Sequence, residues 1–504
     1  MNPLLNAATA PHAFLTHHLD ALTPGIVHLG LGNFHRAHQA TYTAAALAVE
    51  PGPWGIIGAA SRSRRVVDAM RAQDLLYTVT EISPSGTAFH IPAVHTEVLV
   101  ASEETERLIG ALADPRTRII SLTVTESGYT FDPETGSLDV AHPDVQSDLR
   151  LSYAPRTPLG QMVNGLRQRL RSGGAPVTIL SCDNLGSNGA RTRELIHEFV
   201  AALPGAEGQE LQAWLGDHVS FPNSMVDRIV PATTAETRAA VRSGLGLEDA
   251  VPVPAEPFGM WIIEDDFAAG RPAWGRVGAT FSDQVSRYEN MKLRLLNGTH
   301  SLIAYLGALS EKLTIPESVA QPHIEGAARS ILRHEYLPTL ELPEGVDIVD
   351  YEEQLFSRWR NTALGHRTSQ VGTDGSVKLP QRVTEPVLQH LGQGVMPHHL
   401  ALTVAAYVAC VAPPAGFEPG PQARAIQDPA TDRLQALAAR HPQPASLMRA
   451  VFESGQVFPA VLADQADFVN RAGDLLDVII AHGPHAAVRE AATSSSSLSP
   501  RTNP

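Results

Sequence analysis

The sequence predicts two folds in series. An α/β domain with a largely parallel sheet spans residues 1–285, a mostly helical domain spans 286–492, and 493–504 form a disordered tail. Three observations predict this. Short apolar runs alternate with helical stretches through the first half. The first of those runs ends in glycines. Beyond Ser286 the β-like runs fade and long helical patterns take over.

The elements follow in order. Residues 25–32, "GIVHLGLG", read as a buried parallel strand entering a turn. "HRAHQATYTAAALAV" is alanine-rich with no breaker and reads as a helix that "PGP" at 51–53 stops. "WGIIGAAS", 54–61, is the next strand, which completes a βαβ unit. "RIISLTVTE" at 118–126 and "PVTILSCDNL" at 176–185 supply further strands, with helices over Leu159–Leu170 and Arg191–Ala202. "GMWIIEDDF", 259–267, is a later strand. In the second domain, 288–340, 350–365 and 386–412 carry helical spacing, with "PPAGFEPGP" at 413–421 a loop. The tail, "TSSSSLSPRTNP", is low-complexity.

Bulk properties exclude several functions. The 504 residues, 43% hydrophobic and 18% charged, suffice for two large cores. A net charge of −15 argues against nucleic-acid or membrane-surface partners, which need clustered Lys and Arg. Cys182 and Cys410 are too few for a disulfide framework or a cysteine-based zinc site, and fit a reducing cytoplasm. No targeting segment or membrane span is expected.

"GLGNFHRAH" begins where the first strand ends. Gly30 and Gly32 occupy the first two positions of G-x-G-x-x-G, and His35 stands at the third. The first glycine permits a tight turn, the second lets backbone approach a pyrophosphate, and the next helix N-terminus offers free N–H groups. This predicts a Rossmann-like dinucleotide site with Gly30, Gly32, Asn33, Phe34, His35 and Arg36. The second strand runs into "SRSRR", 61–65, where an NAD-binding loop usually has a carboxylate. Arg62, with Arg64 and Arg65, suits a 2′-phosphate. NAD remains the expected cofactor, with NADP admitted beside it.

"NMKLRLLNGTHS", 290–301, places three polar groups among leucines. On a helix over 289–309, with Lys292 at zero, His300 falls at roughly 80° and Asn297 at roughly 140°. All three share an arc that also contains Leu296. Gly298 weakens the helix there and permits close approach of a ligand or another backbone. A desolvated lysine has a lowered pKa and takes a proton from an alcohol. An amide donates to the developing alkoxide, and an imidazole fixes the substrate. The set suggests hydride transfer from a secondary alcohol without a metal. "SCDNLGSNG" adds Asp183, Asn184 and Asn188 at a strand's carboxyl end; Asp227, Arg228, Lys378 and Arg382 stand in two further polar stretches.

These segments resemble the mannitol dehydrogenase family, the polyol-specific long-chain dehydrogenases. The likeness runs through "IVHLGLGNFHRAHQA", "TVTESGY", "LSCDNLGSNG", "FPNSMVDRIVP", "EPFGMWIIEDDF", "YENMKLRLLNGTHS" and "DGSVKLPQR". The K-x4-N-x2-H spacing is the most specific part. The resemblance implies that Lys292 is the acid–base group, that Asn297 with Asn188 or Asn184 forms the oxyanion pocket, and that His300 orients the substrate. It further implies that Asp227 binds substrate or supports the lysine, that Lys378 contacts substrate, with Arg382 beside it, and that Glu289 serves a proton path. The implied activity is NAD(P)-dependent interconversion of mannitol and fructose. The alternative is mannonate and fructuronate, which "HRTSQ…KLPQR" favours. A reading from another class is a non-catalytic nucleotide-binding sensor. A small-molecule substrate and a monomer or weak oligomer complete the expectation.

Overall fold

The computed structural model describes residues 2–18, 22–132, 135–150 and 154–496. Its contacts divide the chain into two units, Met1–Ser286 and Arg287–Pro504.

The first unit is built on six strands: β1 (Pro24–Leu29), β2 (Gly55–Ala60), β3 (His95–Val100), β4 (Ile119–Leu122), β5 (Val177–Ser181) and β6 (Val219–Ser220). Their spatial order is β3-β2-β1-β4-β5-β6, all parallel. The order reverses beside β1, which pairs with β2 on one side and β4 on the other. Both faces are covered, which explains the uninterrupted apolar runs. Val27, Leu29, Ile120, Leu122 and Ile179 enter one core; Ile26, Ile56, Ile119 and Leu180 enter another with Ala40, Ala44 and Leu47.

Several expectations change in detail. The helix after the glycine loop is two helices, Asn33–Ala37 and Gln39–Val49, broken at His38 (φ −120°, ψ −89°). "GMWIIEDDF" does supply a strand, Met260–Ile263, but it lies outside the main sheet. It pairs antiparallel with Ser224–Asp227 and parallel with Thr280–Phe281. A second small sheet, Val79–Ser83, Gly86–His90 and Val253–Ala255, had no strong signal because its outer positions are exposed.

The second unit is helical. His398–Val411, buried along its whole length, packs on Thr299–Leu309 and Ala466–His482. Glu335 fixes its start: one carboxylate accepts from the His399 N–H, the Leu400 N–H and His399 Nδ1 at 2.7, 2.7 and 2.9 Å. Such a partner satisfies the orphan donors of a buried helix end. The last helix, Pro484–Ser496, runs past the expected start of the tail at 493; 497–504 lie outside the described residues. No helix among the described residues is long and apolar enough to cross a membrane.

Candidate active site

In the first unit a cavity of about 770 Å³ opens at the carboxyl ends of β1 to β4. Gly30, Gly32, Asn33 and Arg36 line it after β1, Ser61, Arg62 and Ser63 after β2, Ala101 after β3, and Thr123 and Val124 after β4. A parallel sheet binds ligands in this crevice, where the strand order reverses.

The two glycines do different work. Gly30 adopts φ +109°, and a Cβ there would stand 2.0 Å from the Thr123 carbonyl oxygen. Gly32 has an extended backbone (φ −94°, ψ −175°), and a Cβ there would meet only the Gly30 oxygen at 3.8 Å. Protein packing therefore requires a glycine at 30 but not at 32. Position 32 is a cradle that a methyl would partly fill, as backbone meeting a phosphate demands.

The rest of the loop is braced. Arg36 donates to the Gly32 carbonyl (3.3 Å), Asn33 Oδ1 (2.6 Å) and the Val251 carbonyl (2.6 Å). Phe34 and His35, expected to meet cofactor, are not among the lining residues. Phe34 packs into the core and stacks on His38; His35 is wholly buried beneath the loop. Of the arginines in "SRSRR", Arg62 lines the cavity. Arg64 turns away to Glu103, with Nε donating at 2.7 Å. Among the lining residues the one carboxylate is Asp144, paired with Arg156 at 3.2 Å.

The polar knot after β5 corrects another expectation. Asn188 is fully buried and its amide is spent on the main chain. Nδ2 donates to the carbonyls of Ser224 (2.8 Å), Asp183 (3.0 Å) and Ser181 (3.2 Å), and Oδ1 accepts from the Ser224 N–H (2.9 Å). It ties the knot to the strand that carries Asp227 and has no donor left for an oxyanion. Asp183 is likewise engaged: it accepts from the N–H groups of Val124 and Thr125, both at 3.0 Å, and from Tyr129 Oη at 2.9 Å. Asn184 is exposed on the same loop, and Asp227 is buried at its strand's end. Arg228 is structural, donating to the Glu256 carbonyl (3.0 Å) and Glu81 (2.5 Å).

In the second unit, Lys292–Gly298 is a π-helix between Val285–Met291 and Thr299–Leu309. Its i→i+5 bonding widens the turn, so angles from a regular helix do not carry across it. Such turns are frequent at functional sites. Lys292 is buried, Asn297 is half-buried, and Glu289 lies half-buried one turn before the lysine. Gly298 does permit close approach, but of a ring: a Cβ there would stand 2.4 Å from Tyr336.

His300 is the electrostatic centre. Burial pushes its pKa well down, and His366, Arg382, Arg358 and Lys378 add to that in turn. It is neutral at pH 7, with cations around it. Its ring lies 5.2 Å from that of His366 and 6.0 Å from that of Trp359. Arg382 is pinned by donation to the Asn297 carbonyl (3.0 Å) and Ser301 Oγ (2.6 Å). His300 Nε2 and Arg382 Nε are buried with no protein hydrogen-bond partner. Lys378 Nζ donates to the Thr373 carbonyl at 2.7 Å. His300, Lys378 and Arg382 therefore lie near one another, together with His366, which begins the "HRTSQ…KLPQR" stretch, and Arg358, which no quoted stretch contained. Among the described residues, no group of three or more His, Cys, Asp or Glu is placed to hold a metal ion.

A glycine loop at the switch point of a parallel sheet, followed by a helical unit with a buried lysine, defines a dehydrogenase-like architecture. Residues 24–276 match the mannitol dehydrogenase Rossmann domain and 284–479 the mannitol dehydrogenase C-terminal domain. The chain belongs to the mannitol dehydrogenase family. It is 40% identical to the D-mannonate oxidoreductase of Escherichia coli, over 88% of this chain and 90% of that one. It is 41% identical to the mannitol 2-dehydrogenase of Cereibacter sphaeroides, over 76% and 80%. The Pseudomonas fluorescens mannitol 2-dehydrogenase, solved in ternary complex with NAD and D-mannitol, superposes with a TM-score of 0.83 at 33% identity, covering 97% of this chain and 99% of that one.

Proposed function

We propose that this chain is an NAD-dependent oxidoreductase that interconverts a sugar acid and its keto form, with polyols and ketoses as weaker substrates. The cofactor reading rests on the cavity at the switch point and on the cradle at Gly32. Gly30, Gly32, Asn33 and Arg36 would hold the dinucleotide, with Arg62 near its adenosine ribose. When bound, it supplies the site that accepts or donates hydride.

The remaining chemistry belongs to the side chains. Oxidation takes a hydride from the carbinol carbon and a proton from its hydroxyl. Lys292 Nζ receives that proton, and in reduction returns it to the forming alkoxide. Asn297 donates to that oxygen as charge builds. Asn184 replaces Asn188 as the further amide of this reading. His300, kept neutral, accepts or donates a hydrogen bond to a substrate hydroxyl through Nε2. Glu289 relays the lysine's proton toward solvent, and Asp227 supports substrate binding.

The observation that carries the substrate class is that Arg382, Arg358 and Lys378 all lie near enough to His300 to depress its pKa. Arg382, Arg358 and Lys378 suit a carboxylate, which a guanidinium fork binds with direction and charge. A neutral ketose offers these cations no anionic group to bind. The relative named D-mannonate oxidoreductase supports the same class. The test is reduction of fructose, fructuronate, tagaturonate and xylulose with NADH and with NADPH. Fructuronate is expected to exceed fructose at least tenfold in kcat/KM. A preference for fructose would return the reading to mannitol and fructose. Reduction of none would favour a non-catalytic sensor.

A further inference from the structure

Beneath the glycine loop lies a buried polar network. His28 sits on β1, between β2 and β4, where every other side chain of the strand's centre is apolar. Both its nitrogens are engaged. Nδ1 lies 2.8 Å from Ser121 Oγ, and Nε2 lies 2.8 Å from Thr123 Oγ1 and 3.1 Å from the Gly30 carbonyl oxygen. Thr123 Oγ1 also donates to that carbonyl at 2.8 Å. A carbonyl only accepts, so the contact to Gly30 puts the proton on Nε2 and leaves Nδ1 to accept from the Ser121 hydroxyl; the Gln39 amide 2.9 Å from Ser121 Oγ then turns its NH2, otherwise without a partner, to that oxygen. Burial keeps the ring neutral, with its pKa pushed down to about 3.

The ring cannot turn. It is stacked on His35, centroids 3.5 Å apart and planes 12° apart. His35 is held in its turn by His95 Nε2 and the Gln39 amide, each at 3.1 Å. His28 does not line the cavity, but both groups it holds, Gly30 and Thr123, do. A carbonyl turned toward a phosphate would repel it; held inward by His28 Nε2–H, the Thr123 hydroxyl and the Gly32 N–H (2.6 Å), it leaves that part of the wall as open space.

We propose that His28 is a positioning residue for the nucleotide loop: its Nε2–H anchors the Gly30 carbonyl and the Thr123 hydroxyl inward, shaping the wall that meets a dinucleotide's pyrophosphate. This rests on the reading that the cavity takes a nicotinamide dinucleotide. His28→Phe keeps an aromatic ring for the stack and deletes the donor. His28→Gln restores an N–H close to where Nε2 stood. NADH titration by fluorescence, steady-state rates and thermal unfolding are measured together. The expected result is an NADH Kd raised at least tenfold in His28→Phe, with kcat at saturating NADH within threefold. His28→Gln should recover the Kd to within threefold of wild type. Unchanged NADH binding in His28→Phe, or equal loss in both variants, would overturn the proposal and leave His28 as core filling. Should His28→Phe not fold, Ser121→Ala removes the partner that fixes the tautomer, and a Kd raised at least threefold is expected; an unchanged Kd would overturn the proposal. A wild-type chain that binds neither NADH nor NADPH would overturn the cofactor reading and this inference together, a result distinct from wild-type binding that His28→Phe leaves untouched.

Discussion

Gly32→Ala separates the space a ligand needs from the space the fold needs. Its backbone, at φ −94° and ψ −175°, is one that alanine adopts freely. The new Cβ would meet one protein atom, 3.8 Å away. The cost to folding should therefore stay within about ±0.5 kcal/mol, the range of substitutions that disturb no packing. That corresponds to a Tm change of roughly 1–2 °C. The methyl would protrude into the cavity where the pyrophosphate is read to lie, and NADH should bind at least tenfold more weakly, a loss of about 1.4 kcal/mol. Gly30→Ala is the control with the opposite signature. It forces a Cβ to 2.0 Å from a carbonyl oxygen at φ +109°. Strain alone is of order 1–3 kcal/mol, and the clash adds to it. A Tm fall of more than about 6 °C is expected from a total of ~3 kcal/mol. The assay pairs fluorescence titration with thermal unfolding. Wild-type NADH affinity in Gly32→Ala, or a wild-type Tm in Gly30→Ala, would refute the division of labour.

Asn297→Ala should lower kcat about a hundredfold or more with little change in KM, since an oxyanion donor acts mainly on transition-state charge and is worth about 2.7–4 kcal/mol elsewhere; a raised KM at unchanged kcat would make it a plain binding residue. NADPH should work within about a hundredfold of NADH, because a cavity wall of Ser61, Arg62 and Ser63 has no carboxylate to repel a 2′-phosphate. Arg62→Ala should weaken NADPH selectively and Arg64→Ala should not, as Arg64 is committed to Glu103; equal losses for both cofactors would show that Arg62 reads no phosphate. Stability should fall on mild acidification. Burial lowers the pKa of His28 and His95 to about 3 and of His366 to about 4, from 6.5. The folded chain thus binds fewer protons than the unfolded one, so the stability these rings contribute is complete above pH 6.5 and drains as pH falls toward 4 and then 3. Each contributes a slope of up to about 1.4 kcal/mol per pH unit in that window. Urea midpoints at pH 8, 6.5 and 5 check it, and a midpoint constant from 8 to 5 would contradict the assignment.

What the sequence showed and hid has physical causes. The βαβ start was legible because a parallel strand buried on both faces leaves a continuous apolar run, and because Gly30 must be glycine on steric grounds. The run Lys292, Asn297, His300 was legible from residue type and spacing. Its angles were not, since the π-helix over Lys292–Gly298 is set by tertiary packing, with Tyr336 wedged against Gly298. Asn188 was misjudged because residue type reveals a donor but not its partners. Carbonyls from Ser181, Asp183 and Ser224 consume it, and Ser224 is 36 positions away. His35 was taken for a cofactor contact because it follows the glycines, yet its ring turns inward onto His28. His28 escaped notice as one polar letter inside an apolar run. Arg358 had no pattern at all, and His366 stood only as the first letter of "HRTSQ…KLPQR"; only folding gathers them near His300.

On the proposed function, Lys292 handles the proton while the first unit holds the dinucleotide. The most direct test compares wild type with Lys292→Ala in single-turnover reduction of fructuronate by bound NADH, with NADH affinity measured on the same samples. The variant should bind NADH within about threefold of wild type and transfer hydride at least a hundredfold more slowly, the range of a lost acid–base group. Retention of more than about a tenth of the wild-type rate, with NADH bound, would contradict it.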